Sequence, residues 1–175
     1  MAATDAHLNH PEDLAPRLAA ALHAEGFPTG DRARLKRMGV SGPTPLAFHR
    51  FMLRHVPERW QGEAMESSWR ALIGALARQH QNPHTSEIPF GRALAGCGYS
   101  ESRLESLLAA EGRVLATLTL RAATRLGAQR TRCNWRDLAR LLFAQNESVR
   151  ERINRKIARD FYRTATETQA APAAE

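Results

Sequence analysis

Four arginines near the C-terminus recur at spacings of three and four residues, which places them on one face of a helix. They are Arg152, Arg155, Arg159 and Arg163. An apolar stripe repeats every four residues in the same segment: Val149, Ile153, Ile157 and Phe161. At 100° per residue the arginines fall within about 80° of each other and lie about 135° from that stripe, so one face is predicted to be buried and the other cationic. A guanidinium can bond two phosphate oxygens at once, and at 1.5 Å per residue the four span about 16 Å, enough to follow two or three phosphates.

The same arrangement recurs on the two preceding predicted helices. Arg121 and Arg125 lie one turn apart in LTLRAATRL, and Arg136 and Arg140 do so in NWRDLARLLF. Three consecutive helices with an arginine face favour contact with nucleic acid, although a solvated surface stays open as an alternative.

Charge is distributed unevenly along the chain. The net charge is +7, yet residues 1–112 hold 12 basic and 12 acidic residues, whereas 113–163 hold 13 basic and four acidic ones. A basic excess confined to one segment is typical of a nucleic-acid surface. The three tryptophans sit among apolar neighbours, so the strand backbone, rather than stacked bases, is the expected ligand.

The stretch FGRALAGCGYSESRLESLL, residues 90–108, admits three interpretations. A phosphate-binding loop would need a preceding strand, and none is predicted. A helix-turn-helix would need a second helix that reaches bases, but this one offers Glu101 and Glu105, which phosphates repel. The third is a helix corner, in which Gly98 ends one helix and Ser100, or a capping box of Ser102 with Glu105, begins the next. It leaves Arg92 unexplained, because a helix start does not favour a cation, so we expect Arg92 to contact a phosphate or a partner.

No residue set indicates catalysis or a cofactor. His80 and His84 have the four-residue spacing of zinc ligands, but Pro83 lies between them. The two cysteines, Cys97 and Cys133, are predicted to be buried and unpaired. We therefore expect a non-enzyme without metal or cofactor. No apolar run approaches the roughly 20 residues of a membrane span, and no secretory signal is visible, so we expect a cytoplasmic protein with no membrane partner.

The helix punctuation predicts an all-α fold of about eight helices, in one compact domain or two packed sublobes. The first is expected from Pro11 to Glu25, and a second is expected to be capped by Asp31. Others are expected over 45–56, 63–79, 101–111, 113–126, 135–145 and 147–164, with Asn134 as the cap of the helix at 135. We divide the chain into an N-terminal lobe (1–80), a C-terminal lobe with the basic surface (81–164) and a disordered tail (165–175).

Several segments in the same order resemble the CasB family, the small subunit of the type I-E CRISPR Cascade surveillance complex. They are RLKRMG, PLAFHRFM, GRALA followed by SESRLESLL, LTLRAATRL, NWRDLARLLF and RKIARDFYR. The likeness covers roughly residues 12–163. It departs from the family at His80 and His84, where a basic residue would be expected, and at Asn134, where members often have aspartate.

The resemblance implies an all-helical, non-enzymatic subunit that is present twice in the complex. Its partners would be the crRNA-bound backbone, the large subunit, the crRNA, and the target and displaced DNA strands of the R-loop. The family's N-terminal basic pair corresponds to Lys36 and Arg37 of this sequence. Sequence is read by base pairing to the guide in such systems, so charge and shape suffice for the protein. A free-standing helix-turn-helix regulator acting through the Gly98 corner stays open as the alternative function.

Overall fold

The structure, a computed structural model, describes the backbone of residues 8–170 and the side chains of residues 8–164. The described part is all-α, as predicted, and contains no β-strand. Its helices are α1 (Ala15–Leu22), α2 (Thr29–Arg37), α3 (Leu46–His55), α4 (Glu63–Ala77), α5 (Phe90–Gly96), α6 (Glu101–Ala109), α7 (Gly112–Ala128), α8 (Trp135–Leu142) and α9 (Glu147–Ala170), with short 3-10 helices at Pro11–Leu14 and Glu58–Trp60.

Helix α4 forms the centre of the fold. Every residue from Trp69 to Ala77 is buried, including the cationic Arg70, and the helix packs against α1, α2, α7 and α8. The Arg70 guanidinium donates to the carbonyls of Gly39 and Gly42 and to the hydroxyl of Thr44. One buried cation therefore fastens the SGPTP connection onto the central helix.

Two predictions at the N-terminus were wrong. The first helix is not continuous over Pro11–Glu25 but begins as a 3-10 helix and becomes α1 at Ala15. Pro16 lacks the N–H that would bond back to residue 12, which disfavours a regular α-helix through this point. Asp31 is not a cap, because α2 begins two residues earlier, and its carboxylate instead pairs with Arg34 and Arg50.

Helices α5 and α9 touch along their backbones. Gly91 lies directly against α9, and a Cβ there would collide with the Ile157 carbonyl group and lie 3.0 Å from the Phe161 nitrogen. Only glycine permits this approach. The contact fixes where α9, the helix that carries the four arginines, lies on the body of the protein.

The α5–α6 connection is the predicted corner. The Tyr99 N–H donates to the Leu94 carbonyl and the Gly98 N–H to the Ala95 carbonyl, while Gly98 has φ +70°. This is a Schellman motif, which needs a left-handed residue at the helix end. Ser100 precedes α6, but its side chain makes no capping hydrogen bond and Ser102 already lies inside the helix. The predicted Ser102–Glu105 capping box therefore does not start α6.

One hydrophobic core runs through both predicted lobes, from Leu14 to Phe161. It includes all three tryptophans, and both cysteines are buried and free, as predicted. The division at residue 80 stays a prediction. Helix α9 continues to Ala170, inside the segment predicted as a tail, and residues 171–175 lie outside the described part. No helix among the described residues is both long and apolar enough to cross a membrane.

Candidate nucleic-acid interface

A groove of about 1150 Å³ runs along the arginine face of α9. Its opposite wall is formed by residues 9–12, by α8 and by the connection that follows α8. Five cationic side chains line it: Arg140, Arg152, Arg155, Lys156 and Arg159. The tertiary fold thus brings together predicted residues from two helices, Arg140 of α8 and three arginines of α9.

The amphipathic pattern that predicted this wall is confirmed for half of its apolar stripe, since Val149 and Ile153 are only half-buried and line the groove. Ile157 and Phe161 are buried in the core, whereas Arg152, Arg159 and Arg163 are exposed. None of these three arginines makes an ion pair with another described residue. Within the groove, Arg152 and Arg159 therefore have their charge available for an external anion.

Two acidic side chains also line the groove and neutralise part of its charge. The Arg140 guanidinium lies 3.9 Å from Glu12 and 3.8 Å from Asp137, and Arg155 pairs with Glu151 at 3.4 Å on the exposed surface. Arg140 therefore faces the groove already shared between two carboxylates, and an incoming phosphate would compete with Glu12 for it.

Asp137 is a buried junction between three helices. Its carboxylate is 2% exposed, accepts from the backbone N–H of Phe90 at the start of α5, and accepts from Lys156 Nζ on α9 at 3.1 Å. Pro89 precedes α5 and provides no capping side chain, so a carboxylate from α8 stabilises that helix start. The same group holds α9 at the edge of the groove.

Lys156 belongs to this junction rather than to the free surface. Partial burial lowers the pKa of its ammonium group, but hydrogen bonds to Asp160 and Asp137 outweigh burial, so the pKa is raised. The ammonium is charged at neutral pH, but its charge is committed to two carboxylates. Within the groove, arginine is thus the main source of available positive charge.

Arg121 and Arg125 lie elsewhere, beside the Gly98 corner. The Arg125 Nε donates to the Cys97 carbonyl at 2.8 Å. Burial raises the pKa of the Tyr99 hydroxyl, and the charges of Arg103 and Arg121 act against that rise. We call Arg121 and Arg125 the corner patch. Helical spacing correctly put Arg121 and Arg125 on an exposed face, but one of them also holds the corner.

The remaining predicted residues do not line the groove. Lys36 and Arg37 are exposed at the end of α2, and Arg92 is exposed on α5. Arg136 is half-buried on α8, with its Nε buried and without a hydrogen-bond partner among the described residues. Asn134 caps α8 as predicted, since its side chain accepts from the Arg136 N–H.

His84 stabilises the loop that precedes α5 against the start of α8. Its Nδ1 accepts from the Trp135 N–H, and its loop pairs with Cys133 and Asn134 through backbone hydrogen bonds. Burial, followed by the charges of Arg136 and Arg132, lowers its pKa, so the ring is neutral at neutral pH and adds nothing to phosphate binding. Among residues 8–164, no cluster of three or more His, Cys, Asp or Glu side chains could hold a metal ion.

Three groove residues were missed by the sequence reasoning. Lys156 follows Arg152 by one turn, so the same helical count could have included it. Glu12 and Asp137 are distant in sequence from α9. A local sequence pattern therefore could not predict that both carboxylates lie in the same groove as the α9 arginines.

Comparison with known proteins places this fold among CRISPR-associated proteins. The family model described as CRISPR-associated protein Cse2 matches residues 31–162. Sequence comparison with curated proteins finds no match.

Solved structures share the fold at low sequence identity. M. ruber CasB is 23% identical with a TM-score of 0.65, over 89% of this chain and 96% of that one. A chain of E. coli Cascade bound to a PAM-containing double-stranded DNA target is 23% identical with a TM-score of 0.63, over 86% and 97%. A chain of a CRISPR RNA-guided surveillance complex is 22% identical with a TM-score of 0.68, over 91% and 99%.

The family match spans most of the chain, and the structural matches are nearly complete on both sides, which confirms the resemblance to CasB that the collinear sequence motifs indicated. The chain belongs to the CRISPR-associated Cse2 family.

Proposed function

We propose that this protein is the small, non-enzymatic subunit of a type I-E CRISPR Cascade complex and that it holds nucleic acid without reading its sequence. Family membership and the likeness to chains of two CRISPR assemblies support the first part. The observation that carries the second is the groove beside α9, with Arg152 and Arg159 exposed and without ion pairs among the described residues.

The chemistry of the groove suits a phosphate backbone. Its available donors are guanidiniums, which bond phosphate oxygens in pairs. Phosphate contacts position a strand but carry no sequence information. In a guided complex the crRNA supplies specificity, so a groove of this kind would help to hold the crRNA–target heteroduplex and the displaced strand of the R-loop.

The cations outside the groove define further contacts in this proposal. Arg163 extends the α9 face, Arg121 and Arg125 of the corner patch lie on α7, and Lys36 with Arg37 forms a third group on α2. Arg92 and Arg136 complete the proposed set. Several separated basic groups would suit a subunit that touches more than one strand, and two copies in the complex would double the binding surface.

The test is binding of the purified chain to unrelated single-stranded DNA, duplex DNA and RNA, measured by fluorescence anisotropy across a salt series. Similar affinities for unrelated sequences, falling steeply with salt, support the proposal. A marked preference for one duplex sequence would contradict it and favour a helix-turn-helix regulator, as would loss of binding on substitution of Arg103 at the corner. The exposed Glu101 and Glu105 on α6 argue against that alternative, because phosphates repel them.

A further inference from the structure

Helix α3 exposes two leucines on its outer face. Leu46 and Leu53 are each 74% exposed, and a separation of seven residues puts them on the same side of the helix, about 10 Å apart. The opposite side of α3 is fully packed: Ala47, Phe48, Phe51 and Met52 are buried. Single exposed leucines are common on protein surfaces. Two that are aligned on one short helix form an apolar ridge.

A groove lies on each side of this ridge. One has a volume of about 440 Å³, with Phe27 and Phe51 among its apolar lining and Arg50, Arg54 and His55 among its polar lining. The other, about 170 Å³, is lined by Phe48, His49, Met52, Leu53, Gln61 and Glu66. A ridge between two grooves with apolar walls has the shape that a partner side chain or helix can interlock with.

The charge around the ridge is positive. The carboxylate of Asp31 is shared between Arg34 and Arg50, at 3.0 and 2.8 Å, and that of Glu66 lies 3.6 Å from the buried Arg70. Arg54 is exposed and makes no ion pair with another described residue. Burial first, and then the charges of Arg54 and Arg17, lower the pKa of His55, so this imidazole is neutral at neutral pH. The complementary surface must therefore combine apolar side chains with carboxylates.

We propose that the outer face of α3, defined by Leu46, Arg50, Leu53 and Arg54, docks an acidic, amphipathic segment of a protein partner. A nucleic-acid strand would satisfy the arginines but leave both leucines facing water or phosphate, whereas a protein segment covers both. The site is separate from the nucleic-acid groove, since α3 packs against α2 while α9 packs against α5 and α8. Both sites can then be occupied at once. The proposal rests on the proposed function in one respect: the partner is taken to be a neighbouring subunit of Cascade.

The experiment is competitive assembly. Wild-type chain and the L46E/L53E variant, carrying different fluorophores, are mixed in equal amounts with the other Cascade subunits of the same source and the crRNA, and the ratio incorporated is measured. The matched control is V114E, because Val114 is also an exposed apolar residue, at 61%, but lies on α7. Melting curves and nucleic-acid binding of each isolated chain are recorded in parallel.

We expect L46E/L53E to be incorporated at least tenfold less than the wild type. A second variant, R54E, should show a smaller loss in the same direction. V114E should incorporate like the wild type, and all variants should melt and bind nucleic acid normally. A photoreactive residue at position 53 should crosslink to a partner segment that contains carboxylates beside apolar side chains.

Incorporation of L46E/L53E within twofold of the wild type overturns the docking proposal, and so does a crosslink to nucleic acid or to a second copy of this chain. If the wild-type chain itself does not assemble, the proposed function fails and this proposal fails with it. If the wild type assembles but does not bind nucleic acid when isolated, only the strand-holding part of the proposed function is contradicted.

Discussion

Removing the two groove arginines without ion pairs should weaken nucleic-acid binding by an amount that the structure allows to be worked out. The change is R152Q together with R159Q. Neither side chain makes an ion pair with another described residue, so their loss breaks no described salt bridge. Glutamine keeps most of the length of the side chain and favours helix about as well as arginine, so the variant should fold normally.

The magnitude follows from charge and geometry. A unit charge about 4 Å from a phosphate in water contributes about 1 kcal/mol, which corresponds to about a fivefold change in affinity. Two such contacts amount to about 30-fold at low salt. Each lost contact should also reduce the slope of log K against log salt by about 0.7 for a single strand and about 0.9 for a duplex. The double variant should therefore have a slope about 1.4 units shallower on single-stranded DNA.

The assay is fluorescence anisotropy at four or more salt concentrations, with R103Q/R113Q as the matched control. That variant loses the same two charges from exposed positions that do not line the groove. It should keep the wild-type slope and lose less than threefold in affinity. If both double variants lose affinity equally, overall charge rather than the groove controls binding. If the control alone loses it, the site is the α5–α6 corner and the reasoning is refuted.

Three further outcomes are expected. E12Q should strengthen binding by about twofold to fivefold in the same assay, because it removes a carboxylate 3.9 Å from Arg140; unchanged affinity would show that phosphates do not reach this part of the groove. G91A should lower the free energy of unfolding by about 3 kcal/mol, since its Cβ collides with the backbone of α9. G96A, with nothing within 4 Å of the added Cβ, should be neutral or stabilising by up to about 1 kcal/mol. Equal stabilities of the two variants in chemical denaturation would contradict the α5–α9 contact. The free energy of unfolding should fall as the pH drops below 6.5, the ordinary pKa of histidine. Burial lowers the pKa of three histidines in the folded protein: His23, His55 and His84. Below pH 6.5 the unfolded chain therefore binds more protons than the folded one, which favours unfolding. H84N, which keeps an acceptor for the Trp135 N–H, should reduce that fall, and an identical pH profile would contradict the role given to His84.

The fold class and most helices could be predicted because their signals are local. The Leu, Trp and Ile spacing of α4 predicted a helix over 63–79, and the structure has Glu63–Ala77. Glycine with φ +70° at position 98 matches the corner predicted from the sequence. The errors lie at helix boundaries. Helix α9 runs on to Ala170, and α2 begins two residues before the cap expected at Asp31, whose carboxylate is taken by a distant arginine.

The site could be predicted only in part, for a related reason. Helical periodicity gives the face on which Arg152 or Arg121 lies, but not what stands opposite that face. Long-range packing decides that Arg140 joins α9 in one groove while Arg125 turns to the Cys97 carbonyl. The buried Asp137, whose partners are 19 and 47 residues away in the chain, has no signature in the sequence.

Arginine supplies 23 of the 25 basic residues, and the single lysine of the groove is tied to two carboxylates. Arginine is not a substrate for the acetylation that neutralises lysine. Binding of an anion along α9 would therefore be insensitive to acetyl transfer. A higher ionic strength or a competing polyanion would still weaken the binding of a nucleic acid in this groove.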